Sequence, residues 1–168
     1  MQLLCEVTSQ LLISDARSAC ASELLRQEAV TLCVNVTRRQ PLPEAPIAGL
    51  RVAVSDRPDE DLYLHLEACV DTIRAEVRNG GRCLVYCKNG RSRSAAVCAA
   101  YLMKHRRLPL ADALQKVKAA RPVIAPNAGF LEQLQRYEDD LRKRLHSPSP
   151  HRRTTPDGPT SALQNSLS

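Results

Sequence analysis

One stretch, "LVYCKNGRSRSAAVCAAYLMKH" from Leu84 to His105, limits what this chain can fold into more than any other. It opens on a short apolar run ending at Cys87, bends through a basic segment around one glycine, and closes as a long apolar run rich in alanine. A short apolar run bounded by turn residues reads as a buried strand. A longer run that is apolar nearly all round reads as a central helix. Strand, tight turn and helix in that order build open α/β sheets, which bind ligands at the carboxyl ends of their strands. There the backbone N–H groups of a tight turn converge, and a helix amino terminus, here at about Ser92 or Arg93, adds partial positive charge. Gly90 lets the backbone turn sharply and approach a ligand closely. An anion-binding turn is therefore expected between Cys87 and Arg93.

The same field acts on the cysteine. A free thiol is mostly protonated at neutral pH, and helix amino termini and cations shift it toward the nucleophilic thiolate. Arg93 follows Cys87 by six residues. Its planar guanidinium holds two oxygens of a tetrahedral anion at once, which a lysine cannot do. Ser94 offers a hydroxyl to a departing thiolate. A cysteine and an arginine at this spacing arise often by chance. The specificity lies in their coincidence with the apolar strand, Gly90, Ser92, Ser94 and the alanine-rich helix. The bland alternative is a buried cysteine before a basic helix start.

The rest of the chain alternates in the same manner. "LLISD" ends a short strand or turn, and Ser14 or Asp15 is placed to cap a helix running to about Gln27. "VTLCVNV" (Val30–Val36) and "LRVAV" (Leu50–Val54) read as buried strands. After "SDRPDED", a helix puts Leu62, Leu66, Cys69, Val70, Ile73 and Val77 on one face. "NGG" (Asn79–Gly81) stops it with a left-handed cap. One further helix carries Leu110, Ala113, Leu114 and Val117; another carries Phe130, Leu134, Tyr137, Leu141 and Leu145. The expected fold class is α/β, with a mostly parallel central sheet flanked by helices on both faces.

A chain of 168 residues has room for one such domain, assigned to residues 1–145, and a tail, 146–168. The tail is rich in Ser, Thr and Pro and too poor in apolar side chains to repay its ordering entropy, so disorder is expected. Ser147, Ser149 and Thr155 each precede proline and are candidates for proline-directed phosphorylation. The seven cysteines are odd in number and form no C-x-x-C, and no secretory or transmembrane run is visible. The expectation is a reducing compartment, cytoplasm or also nucleus, with mostly buried free thiols. The four histidines show no metal-ligand spacing. Net charge of +6 favours anionic partners without choosing among phosphoprotein, RNA and lipid head groups. With no Trp, one Phe and four Tyr, a base-stacking platform has little to stand on.

"CKNGRSRS" resembles the phosphate-binding loop of cysteine-based protein tyrosine phosphatases, in their dual-specificity branch. "VNVTR", "SDRPDEDL", "AYLM" and "RPVIAPNAGFLEQLQRYE" extend the resemblance over about residues 3–144, and the short length resembles the atypical members. The resemblance implies that superfamily's fold and hydrolysis of phosphotyrosine and phosphoserine/phosphothreonine in protein substrates. It implies no metal or organic cofactor and no obligate nucleic acid. Cys87 would form a cysteinyl-phosphate, while Lys88, Asn89, Gly90, Arg91, Ser92 and Arg93 bind the phosphoryl oxygens and Ser94 stabilises the departing thiolate. The family's general acid falls at Asp56. Asp59 and Asp61 are instead placed at the start of the following helix, where carboxylates cap amide donors. Asn127 matches a polar position that supports the family's site, and reads equally as a helix cap.

The chain departs from the family at residue 86. Histidine usually precedes the cysteine, and here it is Tyr86. A phenol is no cation at neutral pH, so a weaker enzyme is expected. Lys88 and Arg91 make the loop more basic than phosphate binding requires; they either favour acidic phosphosites or are ordinary exposed cations. Two other functions compete. A phosphate-binding pseudophosphatase module is suggested by Tyr86 and opposed by the intact Cys87, Arg93 and Asp56. A phosphatase of RNA 5′ ends or another non-protein phosphate is suggested by a pI near 9.1 and opposed by the lack of Trp and of a long Lys/Arg tract.

Overall fold

A computed structural model describes residues 3–44 and 46–146. In chain order the elements are β1 (Cys5–Thr8), β2 (Leu11–Asp15), α1 (Ala16–Ala19), α2 (Ser22–Gln27), β3 (Leu32–Asn35), β4 (Ala48–Arg51), α3 (Tyr63–Arg78), β5 (Cys83–Cys87), α4 (Arg93–His105), α5 (Leu110–Ala120) and α6 (Ala128–His146). The strands form one sheet in the order β1-β2-β5-β3-β4. All pairs are parallel except β1 on β2. The chain thus adopts the expected α/β architecture.

β5 is central, and all five of its residues are buried. Side chains alternate across a strand, so its two faces serve two cores. Cys83 and Val85 join Leu66, Ile73, Val97, Tyr101, Phe130 and Leu134 under α3, α4 and α6. Leu84 and Tyr86 join Leu12, Ala16, Leu25 and Cys33 under α1 and α2. The α4 segment Ser94–Met103 is buried throughout, as its composition requires. Gly80 takes a left-handed φ of 82° just after α3, the cap read from "NGG".

The register decides where the site stands. Asp15 pairs with Cys87, and Asn35 with Tyr86, so β2, β3 and β5 end together at one sheet edge. Asp15 caps α1 there, its carboxylate accepting from Ser18 N at 2.7 Å.

Three local expectations are corrected. The helix expected from Asp15 to Gln27 is broken at Cys20 and Ala21 into α1 and α2. The strand expected at Leu50–Val54 is displaced to Ala48–Arg51, a part-exposed edge strand, while Val52 and Val54 are buried by packing outside the ladder. Leu145 does not join the core and is 70% exposed near the end of α6. The antiparallel β1 was not anticipated, because its short apolar alternation lacks a distinctive turn signal.

Cys20 is exposed, and the six other cysteines are buried and free. Burial pushes the thiols of Cys33, Cys69 and Cys83 up to about 12, which leaves them inert. No helix among the described residues is long and apolar enough to cross a membrane. The tail beyond His146, with Ser147, Ser149 and Thr155, lies outside the described residues.

Candidate active site

The turn after β5 wraps a cavity of about 250 Å³ lined by Asp56, Cys87, Asn89, Arg91, Ser92, Arg93 and Ala125. Three elements meet there: the β5–α4 turn, the loop after β4, and the segment between α5 and α6. Cys87 is 2% exposed, at the cavity floor. Its Sγ lies 3.1 Å from Ser94 Oγ, within sulfur hydrogen-bonding range. Ser94 itself is fully buried behind the thiol.

The loop is fixed by its glycine. Gly90 has φ of 64°, a left-handed conformation that side chains disfavour. A Cβ added there would stand 2.7 Å from the backbone of Ser14 and 2.8 Å from Arg121 Nε. Arg121 was not anticipated as a site residue. It donates from Nε to Gly90 O at 2.8 Å and from Nη2 to Asn89 O at 3.0 Å. Holding those two carbonyls outward leaves the turn's N–H groups free to face the cavity. Ala16 N also donates to Lys88 O at 3.2 Å, and Ala125 N to Arg91 O at 2.7 Å. The loop's carbonyls are thus braced from β2–α1 on one side and from residues 121–125 on the other.

Arg93 opens α4 and donates from Nη1 to Val54 O at 3.0 Å. Its Nε is buried with no hydrogen-bond partner among the described residues. A buried donor of this kind is normally satisfied, and an oxyanion in the cavity would satisfy it. Ser92 makes no side-chain cap to its own helix; its Oγ accepts instead from Asn127 N at 3.0 Å.

Asp56 reaches the same cavity from the loop after β4. Its Oδ1 accepts from Asn127 Nδ2 at 2.9 Å. Asn127 Oδ1 accepts from Phe130 N at 2.9 Å, so this residue is both the supporting group and the cap of α6. The other two aspartates point elsewhere. Asp59 pairs with Arg57 in solvent, and Asp61 accepts from Leu64 N at the start of α3. The loop carrying Asp56 lies along the amino-terminal end of α6. A Cβ on Gly129 would come within 2.0 Å of Pro58 O, so no larger residue allows that approach. Gln133 accepts from Leu62 N and Tyr63 N at 2.9 and 2.8 Å and donates to Glu60 O at 2.8 Å. Sequence reasoning missed Gly129 and Gln133, since nothing local distinguishes them from ordinary helix residues.

Lys88 is the expected loop residue that turns away. It lines a neighbouring cavity of about 340 Å³ with Thr37, Arg38, Arg39, Gln40 and Ser55, and the two cavities share Asp56 and Arg93. Arg91 is exposed and donates to Val123 O at 3.3 Å.

Tyr86 is fully buried on the opposite face of β5 from Val85, in the core under α1 and α2. Its hydroxyl donates to Pro41 O at 2.6 Å. Burial pushes this phenol well above its ordinary pKa, so it is a neutral donor. Asn35 donates to Gln40 O at 2.8 Å, and Arg51 donates to Thr37 O at 3.1 Å and Gln40 O at 2.8 Å. Tyr86 therefore belongs to a set that ties down the β3–β4 loop.

Comparison with known proteins identifies the family. Residues 12–140 match the family described as "Dual specificity phosphatase, catalytic domain". Dual specificity phosphatase 28 of Homo sapiens is 59% identical over 140 residues, covering 83% of this chain and 80% of that protein. A crystal structure of that human phosphatase aligns with TM-score 0.81 and 58% identity over 83% of this chain and 95% of the other. A mouse putative dual specificity phosphatase complexed with zinc tungstate aligns with TM-score 0.84 and 55% identity over 89% of this chain and 94% of the other. Sequence, fold and site lead to the same conclusion, that the chain belongs to the dual specificity phosphatases of the cysteine-based superfamily and is a phosphatase.

Proposed function

We propose that the chain hydrolyses phosphotyrosine and phosphoserine/phosphothreonine in proteins through a cysteinyl-phosphate, at a rate limited by Tyr86. The observation that carries this reading is the convergence of Cys87, Arg93 and Asp56 on one small polar cavity. The mouse relative's complex with tungstate, a tetrahedral oxyanion, supports phosphate as the group that fits.

In the first step Cys87 Sγ attacks phosphorus and the P–O bond to the substrate breaks. The Arg93 guanidinium and the loop N–H groups hold the three remaining oxygens as charge spreads over them. Asp56 gives its proton to the leaving oxygen. In the second step water attacks phosphorus, its proton passes to the Asp56 carboxylate, and the S–P bond breaks to release phosphate. Ser94 Oγ, 3.1 Å from Sγ, donates to the thiolate as it departs.

Tyr86 directs its polar atom to the β3–β4 loop and brings no positive charge to the cysteine. A histidine here would supply a cation or a donor on the loop side, so Tyr86→His is expected to raise kcat.

The decisive test measures phosphate release from a phosphotyrosine peptide, a phosphothreonine peptide and a 5′-triphosphate RNA, with wild type and Cys87→Ser. Peptide turnover abolished by Cys87→Ser is expected. Peptide binding without turnover would favour the binding-module reading, and turnover of the RNA alone would overturn the protein-substrate reading.

A further inference from the structure

A cavity of about 370 Å³ opens at the far end of α4 from the phosphate turn. Arg93 lines the catalytic cavity and Met103 lines this one, about 15 Å apart along the helix. The two cavities share no lining residue. The floor here is apolar, made by Met103, Leu108, Pro109, Leu141 and Leu145. Met103 belongs to the core, and Leu108 and Leu141 pack against it. Leu145 forms an exposed edge. Cavities that enclose a small ligand span about 300–1,000 Å³ and are lined mostly by apolar side chains with a few polar groups, which describes this one. Its apolar side chains come from the last turns of α4 and α6 and the loop after α4, too short a stripe for a partner helix.

The charged side chains around this floor are paired, with one exception. Lys104 meets Glu67 and Asp71, and Arg144 meets Glu67. Glu138 accepts from Leu110 N at the start of α5, a helix with no side-chain cap of its own, and pairs with Arg142 at 3.4 Å. Arg107 is exposed at the cavity and has no acidic partner among the described residues. Its backbone is unusual too. It stands just past α4 with φ of 55°, the left-handed region where glycine or asparagine ordinarily ends a helix. Leu108 N donates back to Leu102 O at 3.2 Å, closing the helix end on this conformation. Arginine here sets a long cation at the cavity against local backbone preference, and such strain is characteristic of positions that a site uses.

The structure assigns to this cavity a binding site for a small amphipathic anion, an acyl carboxylate whose chain lies on Leu108, Leu141 and Leu145 and whose carboxylate meets Arg107. One unpaired cation beside an apolar floor complements an apolar body with a single negative charge. The paired cations and Glu138 leave the rest of the rim close to neutral, so a cationic amphiphile finds no seat there.

The test titrates decanoate into the full chain below its micelle concentration, followed by calorimetry, with decanol and decyltrimethylammonium as neutral and cationic controls. Expected is saturable binding of one decanoate per chain, tighter than either control by about fivefold or more in low salt. Arg107→Gly suits the left-handed backbone, so Tm should hold or rise while the preference for decanoate is lost. Leu145→Ser changes an exposed side chain and should weaken decanoate binding with the fold intact. Equal affinity for the three probes, or a decanoate preference that survives Arg107→Gly, overturns the site. Displacement of decanoate by tungstate at the concentration that fills the catalytic cavity would place the probe there and overturn it as well. So would a lack of saturable binding, the result expected if residues 147–168 or a second copy of the chain fill the cavity.

Discussion

Asn127 donates from Nδ2 to Asp56 Oδ1 at 2.9 Å while its own Oδ1 caps α6 through Phe130 N. One side chain therefore joins the start of a helix to the loop that carries the proposed acid. The two roles are separable. Asn127→Ala should lose both, destabilising the fold by about 1 kcal/mol for the cap and slowing turnover. Asn127→Asp should keep the cap and its thermal stability but set a like charge against Asp56, so kcat falls without a drop in Tm. Equal loss of Tm in the two variants would refute the split.

In the proposed reaction Asp56 protonates the leaving oxygen, and Asp56→Asn would remove that proton. Turnover of an alkyl phosphate such as phosphoserine should fall by about 10²-fold or more. An activated aryl phosphate, whose leaving group needs little protonation, should lose far less. Measured kcat/KM for the two substrates decides it, and matching losses would remove Asp56 from the role.

Arg121 donates to two backbone carbonyls of the turn after β5, Gly90 O and Asn89 O, and to Cys5 Sγ at 3.6 Å. It is a positioning residue. Arg121→Ala should weaken binding of tungstate or phosphate to the resting protein and raise KM. Arg121→Lys, with one donor group for two carbonyls, should recover part of the loss. Anion affinity unaffected by Arg121→Ala would show that the loop holds its shape without it.

Tyr86→Phe keeps the buried ring and removes the hydroxyl from Pro41 O. A buried hydrogen bond lost in this way costs about 1–2 kcal/mol, read as a lower midpoint in urea. Since the hydroxyl's hydrogen bond goes to Pro41 O, turnover of a small aryl phosphate should change far less than stability does. A collapse of kcat with stability intact would place the hydroxyl in the chemistry instead.

Away from the site, Glu67 links α3 to α4 and α6. Lys104 and Arg144 pair with it, and Tyr137 donates to it at 2.9 Å. Burial opposes its charge, but these three donors prevail and hold its carboxyl down at about 2, below the ordinary 4.5. A depressed carboxyl stabilises the fold at pH above its unfolded value. That contribution is lost as pH falls from about 4.5 toward about 2. The side chain is 40% exposed, so solvent screening reduces the effect to about 1 kcal/mol. Glu67→Gln should flatten the fall of Tm across that window, and an unchanged slope would count against the network.

Much of this protein is legible in its sequence. "CLVYC", "NGG" and the alanine-rich run state their structures locally, because burial, a left-handed cap and helical spacing are properties of neighbouring residues. From them follow the central strand, the tight turn after it and its place at a sheet edge. The choice of Asp56 among three aspartates rests on resemblance; in the fold Asp56 lies at the cavity beside Asn127, while Asp59 and Asp61 pair with Arg57 and Leu64 N. Other features depend on residues far apart in the chain. Arg121 reads as one basic residue among many until the fold brings it under Gly90, and Gly129 as a poor helix former until Pro58 is laid against it. The purpose of Tyr86 is likewise invisible locally. Its neighbours in sequence are a strand and a cysteine, and its hydrogen bond goes to Pro41, 45 residues away. Sequence determined most of the elements and the tight turn after β5, since these depend on short-range periodicity and backbone preference. Only tertiary structure decided what braces the turn, which carboxylate reaches it and where the second cavity opens, since these depend on which distant surfaces meet.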